Sequence, residues 1–336
     1  MKTITFFNNK GGVGKTSLLY HTAHMFAELG KRVLAVDLDP QTNLSQIFLE
    51  EGRFLTIVEE EKTIKQALKR IEKKQGDILE AHIEPINDRL YLLPGDLELS
   101  LIEDKLSKEW YECLTGEWYP FALQSAFYRI IKNAAERYSI DYVFIDVGPN
   151  FGAINRASLI SSDYLIVPST ADLFSLRGLS NIGERIESWV EEWKKRLGER
   201  KKDTMSLDLP SEKIRPLGYV LMQHGVKANR PVKAYKKFAD RIPEAFRASF
   251  KLPSSSQGTT FDNDIYCLAL VKHYNSLMPM AMEARKPIFA LKPADGAIGA
   301  HFHAVKMVYK DFEQLSNKIM DRIEQSTPVK PTNSNA

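Results

Sequence analysis

Residues 8 to 17 read Asn-Asn-Lys-Gly-Gly-Val-Gly-Lys-Thr-Ser, and this run carries the most specific chemistry in the chain. Gly11, Gly12 and Gly14, with Val13 between them, let a backbone come close to a phosphate group and aim its N–H groups at the oxygens. Lys15 then reaches the β- and γ-phosphates, the Thr16 hydroxyl is placed to ligate Mg²⁺, and Ser17 continues the same turn. The run is a phosphate loop. It departs from the general spacing in two ways: Asn9 stands where a glycine is usual, and a second lysine, Lys10, precedes Gly11.

Two further groups of acids stand where such a loop would need them. Asp37 and Asp39 follow the apolar run Val33 to Val36 and precede Pro40, which places them at the carboxyl end of a strand, where open α/β sheets hold their ligands. The alternative for the same two residues is a turn with a helix N-cap. Asp146 closes a third apolar run, Tyr142 to Ile145, in the Walker B arrangement, which holds Mg²⁺ usually through water.

The elements that must position these groups are legible around them. Thr3 to Phe7 has the content of a buried strand, and Leu18, Leu19, Thr22, Ala23 and Phe26 recur at helical spacing until Gly30. Strands also follow at Tyr164 to Pro168 and Leu217 to Met222. The alternation predicts an α/β fold: a doubly wound, mainly parallel sheet flanked by helices, over a single domain spanning 1–325 with insertions. Charged stretches at 58–76 and 191–215, and residues 240–262, read as inserted helices or loops. Residues 326–336 read as a disordered tail.

The loop with its early lysine resembles the deviant Walker A motif of the ParA/MinD/nitrogenase iron protein class of P-loop NTPases, and Asp39-Pro40-Gln41 resembles the signature of the ParA (Soj-like) partition ATPases. The resemblance implies ATP and Mg²⁺ as cofactors, and catalytic roles for Lys10, Lys15 and Asp39. Lys10 would cross a dimer interface to the nucleotide of the other subunit, so that ATP binding and homodimer formation are one event. Asp39 would position the attacking water, with Asp37 and Asn43 supporting the metal and its hydration; the metal set is then Thr16, Asp37 and Asp146. Gln223, after the strand ending at Met222, would lie near the adenine. Most ParA proteins have two prolines after the Walker B pair; Gly148 replaces the first, which implies a looser switch segment.

Composition bounds the rest. The 336 residues carry a formal net charge of +3, so bulk charge does not establish nucleic-acid binding. Its distribution is more suggestive: Lys227, Arg230, Lys233, Lys236, Lys237 and Arg241 crowd a segment expected to be helical after Pro231, and Arg230, Lys233, Lys236 and Lys237 are candidate DNA contacts. Relatives hold DNA without reading its sequence through basic residues of the C-terminal half. Only Cys113 and Cys267 occur, and no His/Cys cluster has metal-ligand spacing, which argues for a reducing cytosol and against the iron protein branch. No run approaches a membrane span. An apolar stripe from Phe302 through Val305, Tyr309, Phe312, Leu315, Ile319 and Ile323 reads as a closing helix on the sheet, because its polar face mixes both charges.

The leading expectation is a cytoplasmic, nucleoid-associated ParA-like ATPase under the control of an activating partner such as a ParB-like protein, without membrane attachment. An ATP-dependent metabolic ligase on the same fold, or a nucleotide-state regulator of a partner protein, shares the motifs.

Overall fold

The computed structural model describes residues 1–211, 213–222, 232–254, 256, 258–272, 274 and 276–326. Gln223, Lys227, Arg230 and the tail from 327 lie outside the described residues, as does the side chain of Lys233. In chain order the first half holds β1 (Lys2–Phe6), α1 (Lys15–Glu28), β2 (Val33–Asp37), α2 (Asn43–Phe48), α3 (Glu51–Glu59), α4 (Ile64–Glu72), β3 (Glu84–Pro85), β4 (Leu90–Leu93), α5 (Glu103–Glu112), α6 (Trp118–Gln124), α7 (Ala126–Arg137) and β5 (Tyr142–Asp146). The second holds α8 (Ala153–Ile160), β6 (Tyr164–Ser169), α9 (Leu173–Gly198), β7 (Arg215–Met222), α10 (Val232–Ala239), α11 (Ile242–Ser249), β8 (Cys267–Val271), α12 (Leu277–Ala284) and α13 (Ala300–Ser326).

The strands form one sheet in the order β3-β4-β2-β5-β1-β6-β7-β8, parallel throughout except for the β3–β4 pair. The expected doubly wound architecture is therefore present. Both faces are covered, and the alternation of side chains shows it. Leu34, Val36, Val143 and Ile145 enter the core under α4, α7 and α8, whereas Val33, Ala35 and Phe144 enter the core under α1 and α13.

Three rings set α1 over the strands that carry the site. Phe26 packs edge-on against Phe144 at 4.9 Å, and Phe144 meets Phe6 at 5.6 Å in the same manner. Each such contact is worth about 0.5–1.5 kcal/mol beyond its burial. The C-terminal half of α1 is thereby fixed against β5 and β1.

The closing helix lies on the sheet as expected, with Val305, Phe312, Leu315, Ile319 and Ile323 buried. Two positions of the stripe differ. Phe302 is exposed and Tyr309 only partly covered, while Val308 takes a buried place. The sequence reading missed β3, β4 and β8; β4 and β8 are short apolar runs whose partners lie far away in sequence, so periodicity alone did not distinguish them from helix. No helix among the described residues is long and apolar enough to cross a membrane. Cys113 and Cys267 are buried free thiols.

Candidate functional site

The phosphate loop leaves β1 and enters α1 through two left-handed glycines, Gly12 (φ 72°) and Gly14 (φ 83°). A side chain at either would be strained, and at Gly14 it would also press on Met222 Cε at 3.0 Å. No side chain caps the start of α1. Its first N–H groups, with the positive end of the helix, thus remain for an anion.

Asp146 gathers the two residues next to that helix start. Lys15 Nζ donates to Asp146 Oδ1 at 2.6 Å and Thr16 Oγ1 donates to Oδ2 at 2.7 Å, with Lys15 almost wholly buried and Asp146 entirely so. The sequence set these three residues around one phosphate–metal centre, and the fold brings them together.

Asp37 lies beside Asp146 in the strand register, yet its oxygens point to other partners. Oδ2 accepts from the Ser45 N–H (2.8 Å) and hydroxyl (2.7 Å), and Oδ1 from the Asp39 N–H (3.3 Å). Burial pushes the Asp37 carboxyl up to about 7, the charges of Asp146 and Asp39 add to the rise, and the Ser45 hydrogen bonds oppose it. Asp37 thus shapes the loop that carries Asp39 and does not join Lys15 and Thr16. Asp39, two residues past the strand end, is 5% exposed and accepts the Gln41 N–H at 3.0 Å. It is therefore a turn residue as well as a candidate for the water, and the two readings of its sequence position coexist. Asn43 is exposed and lines a cavity of about 330 Å³ with Ser17, Tyr20 and Arg285.

The charges of Asp146 and Asp39 both act on Asp37, while Lys15 pairs with Asp146 alone, and this concentration of buried acid suits a divalent cation. Among the described residues no three His, Cys, Asp or Glu side chains converge on one point. The Thr16 hydroxyl and the Asp146 carboxylate are oxygen donors of the kind Mg²⁺ takes, and they would hold the ion beside a bound phosphate.

Lys10 is held elsewhere. Its Nζ donates to Asp172 Oδ2 at 2.8 Å and to Thr170 Oγ1 at 3.1 Å, at the start of α9, and both charged side chains are partly exposed. Partial burial alone would raise the Asp172 pKa; hydrogen bonds from Lys10, Thr170 and the Ser175 N–H outweigh it and bring it to about 2. Asn8 fastens the root of the loop by donating to Pro168 O at 2.6 Å.

The segment after Asp146 is fastened, not loose as Gly148 implied. Asn155 Nδ2 donates to Gly148 O (2.6 Å) and Asn150 O (2.7 Å), and the Glu103 carboxylate accepts from the N–H groups of Ala153 and Ile154 (3.0 Å for the latter). Side-chain hydrogen bonds take the place of a proline ring. Gly148 also faces Asp39: a methyl there would lie 3.4 Å from Asp39 Oδ1.

A cavity of about 170 Å³ opens beside the loop between Gly14, Ser17, Met222, Val271 and Tyr274, the side on which a base was expected. His21 closes it. Its Nδ1–H donates to Ser17 O at 2.8 Å and its Nε2 accepts from Ile288 N–H at 3.1 Å, so the ring is neutral, and burial pushes its pKa down to about 4. Between about pH 6.5 and 4 the unfolded chain then binds a proton at this position that the folded chain does not, and stability falls as the pH drops through that window. The thermal midpoint is expected to be lower at pH 5 than at pH 7.5, and a His21→Gln variant, less stable throughout, should show a shallower loss. An unchanged slope in that variant would contradict the assignment.

Of the basic segment, Lys236 and Lys237 are exposed on α10, a helix that begins after Pro231 as expected.

The AAA domain family model AAA_31 matches residues 1–198. The chain belongs to the ParA-type P-loop ATPases. This ParA-type chain is 29% identical over 243 residues to an uncharacterized protein of Methanocaldococcus jannaschii, covering 72% of this chain and 81% of that one. It is 26% identical to the sporulation initiation inhibitor protein Soj of Bacillus subtilis over 54% of this chain and 63% of Soj, so it spans less than two thirds of that relative. Protein DIP2308 from Corynebacterium diphtheriae superposes with a TM-score of 0.67 and 26% identity, covering 97% of this chain and 100% of that one. The structure of pNOB8 ParA bound to nonspecific DNA shares the fold at TM-score 0.60 and 20% identity, covering 97% and 99%.

Sequence reasoning missed the residues that hold the site: Ser45 on Asp37, Asp172 and Thr170 on Lys10, and Asn155 and Glu103 on the segment after Walker B. Asp172 alone left a trace, since Asp-Leu-Phe-Ser reads as a helix N-cap and its oxygen does accept the Ser175 N–H. The others are ordinary polar residues whose partners lie 5 to 160 positions away.

Proposed function

We propose that the protein is a ParA-like ATPase that forms an ATP-sandwich homodimer, holds DNA without sequence preference, and hydrolyses ATP under the control of a partner protein to segregate or position DNA or another cargo. The observation that carries this reading is the separate use of two lysines from one loop. Lys15 is buried on Asp146, within reach of a nucleotide on its own chain, whereas Lys10 stands at the rim on Asp172, partly open to solvent. An exposed ion pair of this kind is worth about 0–1 kcal/mol, so a phosphate from a second subunit readily displaces it.

In this reading the uncapped start of α1 and Lys15 bind the phosphates, and Thr16 and Asp146 hold Mg²⁺, which when bound neutralises charge on the phosphate oxygens. Asp39, kept in place by the Asp37–Ser45 contact and by Gly148, orients the water and receives its proton. The cavity at Met222 and Tyr274 accepts the base, and Gln223, the next residue in sequence after Met222, contacts it. Support for the wider role comes from the family, from Soj, and from the pNOB8 ParA structure with nonspecific DNA.

Arg230, Lys233, Lys236 and Lys237 supply the DNA surface, and two copies act together in the dimer, which associates the protein with the nucleoid. Retention on unrelated duplexes is expected only with ATP, with log affinity falling against log salt by about 0.9 per phosphate contact. Reversing Lys236 and Lys237 to glutamate should abolish retention while light scattering still reports the ATP dimer. Absence of ATP-dependent retention on every duplex at low salt would instead favour a ligase or a soluble regulator.

A further inference from the structure

Residues 95 to 103 run from the end of β2 to the segment after Walker B, touching both. Gly95 donates its N–H to Ser45 Oγ at 2.9 Å, the hydroxyl that also holds Asp37, and lies so close to Asp37 that a methyl there would sit 2.9 Å from its carboxyl carbon. The next residue, Asp96, pins the run: Oδ1 accepts the Glu98 N–H at 2.8 Å, and Oδ2 accepts the Thr63 hydroxyl at 2.5 Å. One 3-10 turn later the chain enters α5 at Glu103, whose carboxylate receives the N–H groups of Ala153 and Ile154.

A second observation supports the fit. Gly152 has an ordinary φ of −74°, so its backbone does not require glycine. A methyl there would nonetheless lie 2.5 Å from Glu103 Oε1 and 2.8 Å from Asn150 Oδ1. The missing side chain is the space the carboxylate occupies. A negative group at the start of α8 is also electrostatically favoured. Between this anchor and Asp146 lies Gly148, which faces Asp39 closely enough that a methyl there would touch its carboxylate at 3.4 Å.

We infer that Glu103 is a positioning residue for hydrolysis: it holds the segment from Val147 to Gly152 so that Gly148 keeps Asp39 aligned, and residues 95–103 tie this segment to the Asp37 loop. The inference rests on the proposed role of Asp39. Misplacing a reacting group by a fraction of an ångström lowers turnover without a matching change in substrate binding.

The test compares steady-state ATP hydrolysis in wild type, Glu103→Ala, Glu103→Gln, Gly152→Ala, the Glu103→Ala/Gly152→Ala double variant and Asp39→Ala. Glu103→Ala should lower kcat by about tenfold or more while KM for ATP stays within about twofold. Glu103→Gln keeps one carbonyl acceptor and should recover part of the loss. Gly152→Ala should mimic Glu103→Ala, and the double variant should be no worse than either single one, because all three break the same contact. A kcat for Glu103→Ala equal to wild type, with Asp39→Ala impaired, overturns the inference alone. Normal turnover in Asp39→Ala overturns the reading beneath it. A loss confined to thermal midpoint, or additive losses in the double variant, would make Glu103 a helix cap and nothing more.

Discussion

Lys15→Ala is expected to abolish ATP binding, whereas Lys10→Ala should bind ATP as a monomer and fail to form the ATP dimer. The two lysines stand five positions apart in one loop, yet their side chains are used differently. Lys15 faces Asp146 with almost no solvent around it, and removing a charged hydrogen bond to phosphate in such a place costs about 3 kcal/mol, roughly a hundredfold in affinity. The same change leaves the fully buried Asp146 without its cation, a cost of about 3–5 kcal/mol to the fold. Lys15→Gln, which keeps a donor toward Asp146, serves as the folded comparison. Lys10 has neither constraint, because its partner Asp172 remains partly solvated and bonded to Thr170 and the Ser175 N–H. Calorimetry for ATP and light scattering with ATP and Mg²⁺ separate the two outcomes. An ATP dimer that survives Lys10→Ala would refute the cross-subunit role.

Asp39→Ala should bind ATP, dimerise and hydrolyse slowly, so that the dimer accumulates. The carboxylate of Asp39 contributes little to holding the fold beyond the Gln41 N–H, while Asp37 and Ser45 hold the surrounding turn independently. Removing a group that orients water and takes its proton acts on the transition state more than on bound ATP, and such groups contribute about 10²–10⁴-fold to rate. Phosphate release, measured with and without a stimulating partner, is the readout. Turnover equal to wild type under both conditions would remove Asp39 from the mechanism.

The sequence alone determined the parts of this protein whose physics is local. A loop that must bring backbone N–H groups to phosphate needs glycines at fixed spacing, and a buried strand needs an apolar run, so Gly11 to Ser17, β1, β2, β5 and the carboxylates at their ends were all legible. The same locality made the apolar face of α13 readable from Val305 to Ile323 and gave its role as a closing helix. What only the tertiary structure decided is how those groups are held. That Lys10 rests on Asp172 and that Glu103 fastens the segment after Asp146 depend on residues brought together by the strand crossovers, while Asp37 turning to Ser45 and Asn155 to Gly148 depend on how the chain folds back after β2 and β5. A polar side chain has no periodicity to betray its partner, and a hydrogen bond between positions 50 or 160 residues apart exists only once the sheet order is set.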